Sequence, residues 1–307
     1  MTLIISVQGR QTLWMLADQR LSRRGRPPVD NARKLLCLKT SDATAVLGYT
    51  GLGATRAGTE PADWMSALLR GRDLTLEQAL TLLKQGMERE LPRHFRYFPS
   101  GIQPSHSVLA SAFVGTEVRH YSIRMQATPD RLSHRIEACR VGSTPSGGSR
   151  AVSPRMGIAG SGSDYFRKKG VKLRELLRLV NASDNQRVPP AMVADYLARL
   201  NQTAHEHTPD RSVGPTSLVV VAHRADGPYR GGGQTLAYNM SKRLSEAPTI
   251  PTIWRGRDMV AMGRAIMDHF LPQVDNADPD HWPQSIDVSN LDTVLASLPD
   301  KPDEALR

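Results

Sequence analysis

The sequence predicts an α+β fold in which layered sheets carry helices on their outer faces, and the order of its periodicities makes the case. Apolar residues alternate through the first fifty positions, two stretches of helical period follow, alternation returns from Ser107, two more helical stretches come next, and one apolar run closes the regular part. Single strands do not alternate with single helices, which argues against a doubly wound sheet. A chain of 307 residues with 39% hydrophobic content has enough material to bury a large core. Composition shifts beyond Asp226 toward Gly231-Gly232-Gly233, prolines and scattered tryptophans. This places a main domain over 1–226 and a C-terminal extension over 227–307.

Residues 2–8 and 11–17 are rich in Ile, Val, Leu and Thr and meet at Gly9-Arg10, which reads as a hairpin. Lys34 to Leu38 and Thr44 to Tyr49 form a second pair of strands around Ser41-Asp42. After Gly51-Leu52-Gly53, Trp64, Leu68 and Leu69 share one helical face. A stronger helix runs from Leu76 to about Leu91, with Thr75 as its N-cap and Glu77 in its first turn, where a carboxylate suits the helix dipole. Residues 107–115 and 118–125 make another hairpin over Gly115-Thr116-Glu117. Residues 143–150 have loop composition, and a strand from Met156 to Ala159 runs into Gly160-Ser161-Gly162-Ser163. Helices are expected from Asp164 to Val180 and from Pro190 to His205, then a strand over 217–224. In the extension, Met259, Met262, Ile266 and Phe270 lie on one face of a helix from Asp258 to Phe270, and the last thirty-five residues, rich in Asp and Pro, read as a partly disordered tail.

The balance of 40 Lys+Arg against 30 Asp+Glu gives a net charge of +10, spread along the chain rather than gathered in one block. Arg20, Arg23, Arg24 and Arg26 form the densest basic cluster, ending in Pro27-Pro28, with no aromatic residues interleaved for base stacking. A solvated loop is the reading this supports, and a nucleic-acid role stands as the weaker alternative. Cys37 and Cys139 are not at metal-like spacing and read as free buried thiols of a reducing compartment, which points to the cytoplasm. No run of eighteen apolar residues exists, and the N-terminus lacks the layout of a secretory signal. Loss of Met1 alone would then leave Thr2 as the amino terminus. His205 and His207 lack further ligands at compelling spacing, the glycine triplet 231–233 lacks the lysine of a phosphate cradle, and no cofactor or metal is indicated.

A terminal threonine is the chemical centre of this reading. Its hydroxyl is a weak nucleophile that needs a base, and its own α-amine, with a pKa of about 8, supplies one. An ammonium such as Lys34 would favour the developing alkoxide, and Asp18, closing the second strand, would hold that ammonium in place. Taken singly, Thr2 is an ordinary strand residue, Asp18 a turn residue and Lys34 a surface lysine.

Their joint placement changes the weighting. Thr2, the A-D-x-R segment ending in Asp18-Gln19-Arg20, Lys34 at the head of the third strand and Tyr49-Thr50-Gly51 resemble the catalytic β subunits of the proteasome and the bacterial heat-shock peptidase. The intervals from Thr2 to Asp18 and from Asp18 to Lys34 match those N-terminal nucleophile hydrolases without gaps, whereas Gly51 falls a few residues late. Gly160-Ser161-Gly162 is similar to the family's G-S-G turn. Asp210-Arg211-Ser212-Val213-Gly214 departs from its Asp-x-x-Ser-Gly segment, with valine at the serine position and Ser212 one place early.

The resemblance covers about residues 2–224 and implies a four-layer αββα sandwich with two antiparallel sheets between helix layers. It implies Thr2 as nucleophile, Lys34 and Asp18 as its electrostatic support, and Ser161 and Asp210 as further site residues. Gly51 would offer its backbone N–H to the oxyanion, and Tyr49 and Arg20 would shape the substrate pocket. It further implies a threonine peptidase acting on polypeptides, assembly into homo-oligomeric rings, and an ATP-dependent unfoldase as partner. The main alternative is a non-catalytic subunit of the same fold in which Met1 is retained.

Overall fold

The structure, a computed structural model, describes residues 2–23, 26–51, 59–95, 105–126, 135–141, 155–168, 171–208, 212–229 and 232–275. Strands β1 (Ile4–Gln8) and β2 (Thr12–Asp18) form the expected N-terminal hairpin, paired Ile4 to Ala17 through Gln8 to Leu13. Its turn is fixed from outside. The Asp184 carboxylate accepts the Arg10 N–H at 2.7 Å, and a Cβ on Gly9 would strike that carboxylate at 2.3 Å, so glycine is the residue that fits. Strands β3 (Leu21–Arg23) and β4 (Arg26–Val29) then form a small two-stranded sheet where the arginine-rich segment reads as a loop.

β5 (Leu35–Lys39) and β6 (Ala43–Thr50) form the second hairpin, extended by one bond from the Tyr49 N–H to the Lys34 carbonyl at 3.0 Å. Helices α1 (Pro61–Leu69) and α2 (Leu76–Phe95) follow. α1 opens on a proline, whose missing N–H costs nothing in a first turn. α2 opens on a capping box, since Thr75 N–H bonds Gln78 Oε1 at 2.9 Å and Gln78 N–H bonds Thr75 Oγ1 at 3.3 Å. β7 (Ser105–Val114) and β8 (Glu117–Gln126) pair over the Gly115-Thr116 turn, and β9 (Arg135–Val141), which sequence periodicity did not single out, adds to β8. β10 (Arg155–Ala159) leads to α3 (Ser163–Lys168), α4 (Val171–Asp184) and α5 (Pro190–His207), so the helix expected over 164–180 is two helices. β11 (Thr216–His223) closes the part of the chain whose periodicity is regular.

The described stretch beyond Asp226 adds strands to both sheets. β12 (Gly233–Asn239) and β13 (Lys242–Arg243) extend the first sheet, ordered β10-β1-β2-β11-β12-β13. β14 (Thr252–Trp254) and β15 (Arg257–Asp258) extend the second, ordered β15-β14-β5-β6-β7-β8-β9. β14 runs parallel to β5, so the second sheet is not purely antiparallel. Backbone pairing, which short exposed strands make without a strong apolar signature, ties this stretch to the body. The expected helix is there as α6 (Met259–Asp275), and the expected tail over 276–307 lies outside the described residues.

Three cores define four layers. Leu36, Leu47, Tyr49 and Val108 on the second sheet pack against Trp64, Met65, Leu80 and Leu83 of α1 and α2. Leu3, Ile5, Trp14 and Val219 on the first sheet pack against Val180 of α4 and Val193, Leu197 and Ala204 of α5. Ile4, Met15, Val46, Leu109 and Val220 fill the space between the sheets. The architecture is therefore a four-layer αββα sandwich. Gly48 sits on that inner contact, where a Cβ would meet Met15 Sδ at 2.9 Å and Ile4 Cδ1 at 3.0 Å. Among the described residues no helix is long and apolar enough to cross a membrane.

Candidate active site

The strand registers carry Thr2, Asp18 and Ser161 to one end of the first sheet. Extending the pairing of Ile4 with Ala17 by one place sets Leu3 opposite Asp18, and two backbone-directed bonds lock it: Leu3 N–H to Asp18 Oδ1 at 2.8 Å and Asp18 N–H to the Leu3 carbonyl at 3.0 Å. On the other side of β1 the chain turns at Gly160, and the Gly162 N–H points to the Thr2 carbonyl at 3.5 Å, which brings the G-S-G turn beside Thr2. The second sheet contributes Lys34, just before β5, and Gly51, just after β6. The site thus lies where one end of each sheet meets the other.

Lys34 Nζ joins the two halves. It donates to Thr2 Oγ1 at 2.8 Å, to Asp18 Oδ1 at 3.0 Å and to the Arg20 carbonyl at 2.5 Å. Exposure is 4% for Thr2, 0% for Asp18 and 1% for Lys34, so water competes little for these bonds. Burial pushes the Lys34 ammonium below the ordinary lysine range, and the Asp18 charge opposes that shift. An ammonium has three N–H bonds, and the three oxygens around Lys34 Nζ match them in number. The second oxygen of Asp18 accepts the Arg20 N–H at 3.1 Å and the Gly214 N–H at 3.0 Å. Four donors therefore fill the carboxylate and fix its direction.

Gly160 brings the third element into contact. Its φ of +93° is in the left-handed region, and a Cβ there would fall 1.9 Å from the Thr2 carbonyl oxygen and 3.1 Å from Thr50 Oγ1. That approach sets Thr2, the G-S-G turn and Thr50 at the end of β6 side by side, and Gly51 follows Thr50 in the chain. Gly51 has φ +108°, a conformation that favours glycine. Ser161 Oγ lies 2.8 Å from Ser212 Oγ. Ser212 is the residue that stood one place early in the sequence pattern. Val213, at the pattern's serine position, is fully buried in the core under α5.

The structure gives the two pocket candidates different places. Tyr49 is fully buried, its ring 5.2 Å from Trp64 and its hydroxyl 3.2 Å from His106 Nδ1, and burial pushes its phenol well above the ordinary tyrosine range. It faces the helices because alternation along β6 sends it there with Leu47, so it packs the core and does not line a pocket. The Arg20 guanidinium grips Asp30 through two bonds of 2.7 Å, while its backbone serves Lys34 and Asp18. Asp210 lies outside the described residues. Ser212, Gly160 and Gly214 are site residues that sequence reasoning did not select. Their signals, a hydroxyl one place out of register and two glycines in short turns, gain meaning only from what approaches them.

Cys37 is unpaired, and burial pushes its thiol up to about 11; the side chain of Cys139 lies outside the described part of the chain. No group of three or more His, Cys, Asp or Glu among the described residues is placed to hold a metal ion.

No family model and no curated protein matches the sequence. Among solved structures, the chain is similar to the helical assembly of the Anbu complex from Pseudomonas aeruginosa, at 14% identity over 93% of this chain and 100% of that one, with a TM-score of 0.45. It is similar to Anbu (ancestral beta-subunit) from Yersinia bercovieri at 15% identity over 72% and 81%, with a TM-score of 0.43. It is also similar to Thiobacillus denitrificans BPH at 16% identity over 73% and 100%, with a TM-score of 0.38. With TM-scores under 0.5 these likenesses carry no functional weight, and the chemistry of the site rests on the chain's own geometry.

Proposed function

We propose that this chain is a proteasome-like N-terminal nucleophile hydrolase that cleaves peptide or amide bonds with Thr2 after removal of Met1. The observation that carries the reading is the buried ammonium of Lys34 held 2.8 Å from Thr2 Oγ1 and 3.0 Å from Asp18. A buried ion pair is a poor device for stability, because desolvation offsets its attraction. Next to a hydroxyl at the head of a strand, the same pair favours an alkoxide.

In the proposed reaction the Thr2 α-amine takes the Oγ1 proton, directly or through a water. Oγ1 bonds to the substrate carbonyl carbon, and the oxyanion that forms is met by the Gly51 N–H, a contribution of about 3 kcal/mol for one such donor. Collapse of the intermediate breaks the C–N bond, the proton held by the α-amine passes to the departing amine, and an ester to Thr2 remains. Water then cleaves the ester, with the α-amine again acting as base. Ser161, hydrogen-bonded to Ser212 in the turn that lies beside Thr2, supports the amine. Assembly of copies into a ring that encloses the site, polypeptides as substrate and an ATP-dependent unfoldase as feeder rest on the sequence resemblance, and the cytoplasmic assignment rests on two cysteines read as free thiols of a reducing compartment.

The test is intact mass followed by labelling with an electrophile selective for N-terminal threonine. The expected result is a protein lacking Met1 that takes one label, none being taken by Thr2→Ala. A folded, assembled protein that retains Met1, or a free Thr2 that never reacts, leaves the non-catalytic subunit as the reading.

A further inference from the structure

Two segments carry the far side of the candidate site, Gly160-Ser161 and Ser212-Gly214, and the second is held by α5 at two points. Asn201 Nδ2 donates to the Gly214 carbonyl at 3.0 Å, and His205 Nδ1 lies 2.7 Å from the Val213 carbonyl. A carbonyl only accepts, so His205 Nδ1 carries the proton in this bond. The two residues are four apart on a helix and therefore share one face, one turn from each other. Between the two carbonyls they grip runs the peptide whose N–H, on Gly214, reaches Asp18 Oδ2 at 3.0 Å, and one residue earlier stands Ser212, bonded to Ser161.

We infer that Asn201 and His205 form a two-point clamp through which α5 positions Ser212 against Ser161 and the Gly214 N–H against Asp18. Both are positioning residues, acting on Thr2 through the groups they place. The clamp has rigid supports on both sides. The Val213 side chain is fully buried against α5, and a Cβ on Gly214 would strike Arg20 Cβ at 2.8 Å, so the segment is pressed between the helix and the strand that ends on Asp18. The last turn of α5 also meets the segment after Ser161, with the His207 ring 5.3 Å from that of Tyr165. One helix thus spaces the two hydroxyls that face each other.

Bonding capacity separates placement from mere packing. Asn201 is buried to 1% exposure, and its amide oxygen has no hydrogen-bond partner among the described residues. What the side chain contributes is one bond, to the Gly214 carbonyl, which a leucine of similar size would leave without this donor. The gain is the direction in which Asn201 holds the Gly214 carbonyl.

The clamp's role in reaction rests on the proposed hydrolase, and the experiment separates the two. His205→Phe keeps the ring's bulk and loses the donor, His205→Asn returns a donor near the Nδ1 position, and Asn201→Leu removes the second point. Amide hydrogen exchange at Gly214 reads the clamp without any catalysis, and the rate of Thr2 labelling reads its effect on the site. Expected are faster Gly214 exchange in His205→Phe and in Asn201→Leu, labelling slowed on the order of tenfold or more by the misplacement, and recovery of both in His205→Asn. Gly214 exchange unchanged in a folded His205→Phe overturns the clamp, as does labelling at the wild-type rate. If His205→Phe does not fold, Asn201→Leu applies the same criterion at the neighbouring carbonyl. A wild-type chain that never labels removes the hydrolase reading, and Gly214 exchange then decides the clamp by itself.

Discussion

As an ammonium, Lys34 has one hydrogen for each of the three oxygens around its Nζ. Truncation to Lys34→Ala removes the charge beside Thr2 Oγ1 and leaves Asp18 buried with one donor fewer. We expect Thr2 labelling to fall by about a hundredfold or more, the range in which a positioned proton-transfer environment acts. Lys34→Arg should not restore it, since a planar fork cannot point one N–H at each of three converging acceptors. Labelling time courses on folded variants check both. Cys37 gives a separate pH signature. Its thiol is raised to about 11 in the fold, above the value of about 8.5 for an unperturbed cysteine. The unfolded chain ionises first, so this contribution is complete below about pH 8.5 and is lost as pH rises toward 11, up to about 3 kcal/mol in all. The stability difference between wild type and Cys37→Ala, read by urea unfolding at a series of pH values, should therefore shrink across that window.

At the scale of the element, β6 shows how alternation allots roles along one strand. Gly48 faces the first sheet, Tyr49 faces the helices, and Gly51 follows at the site. Tyr49→Ala should destabilise the protein by about 3–5 kcal/mol, as truncation of a buried aromatic residue does. Gly48→Ala should cost about 1–3 kcal/mol by pushing Met15 and Ile4 aside. Denaturant midpoints at unchanged slope would check each figure. The hairpins, the Thr75 N-cap of α2 and the start of α5 at Pro190 were legible in sequence, because neighbours in the chain make them. β9 and the short strands after Asp226 were not, since they gain their definition from the sheet edges they join.

At the scale of the molecule, residues 232–258 are part of the folded body. Ile253 belongs to the core under α1 and α2, Tyr238 to the core under α4 and α5, and Ala237 and Ile250 to the core between the sheets. The Tyr238 hydroxyl also donates to Asp195 Oδ1 at 2.8 Å, tying β12 to α5. A chain ending at residue 226 loses apolar burial in all three cores at once. We expect it to lack a cooperative thermal transition, whereas an independent extension would leave the melt of the remainder intact; circular dichroism distinguishes the two outcomes.

The sequence by itself determined the alternation of strand and helix, the layered α+β class and the spacing of Thr2, Asp18 and Lys34, because these depend on periodicity and on residues close in the chain. Tertiary structure decided which of the singled-out residues meet. The turn at Gly160 brought Ser161 beside Thr2, a glycine with no Cβ let the two segments touch, and a hydroxyl one place out of pattern reached Ser161 while valine filled the core beneath. Tyr49 lost its pocket role for the same reason. The face a side chain takes, and what lies across from it, is set by packing between elements apart in the chain: Tyr49 meets Trp64 of α1, and Ile4 and Met15 meet Val220 of β11.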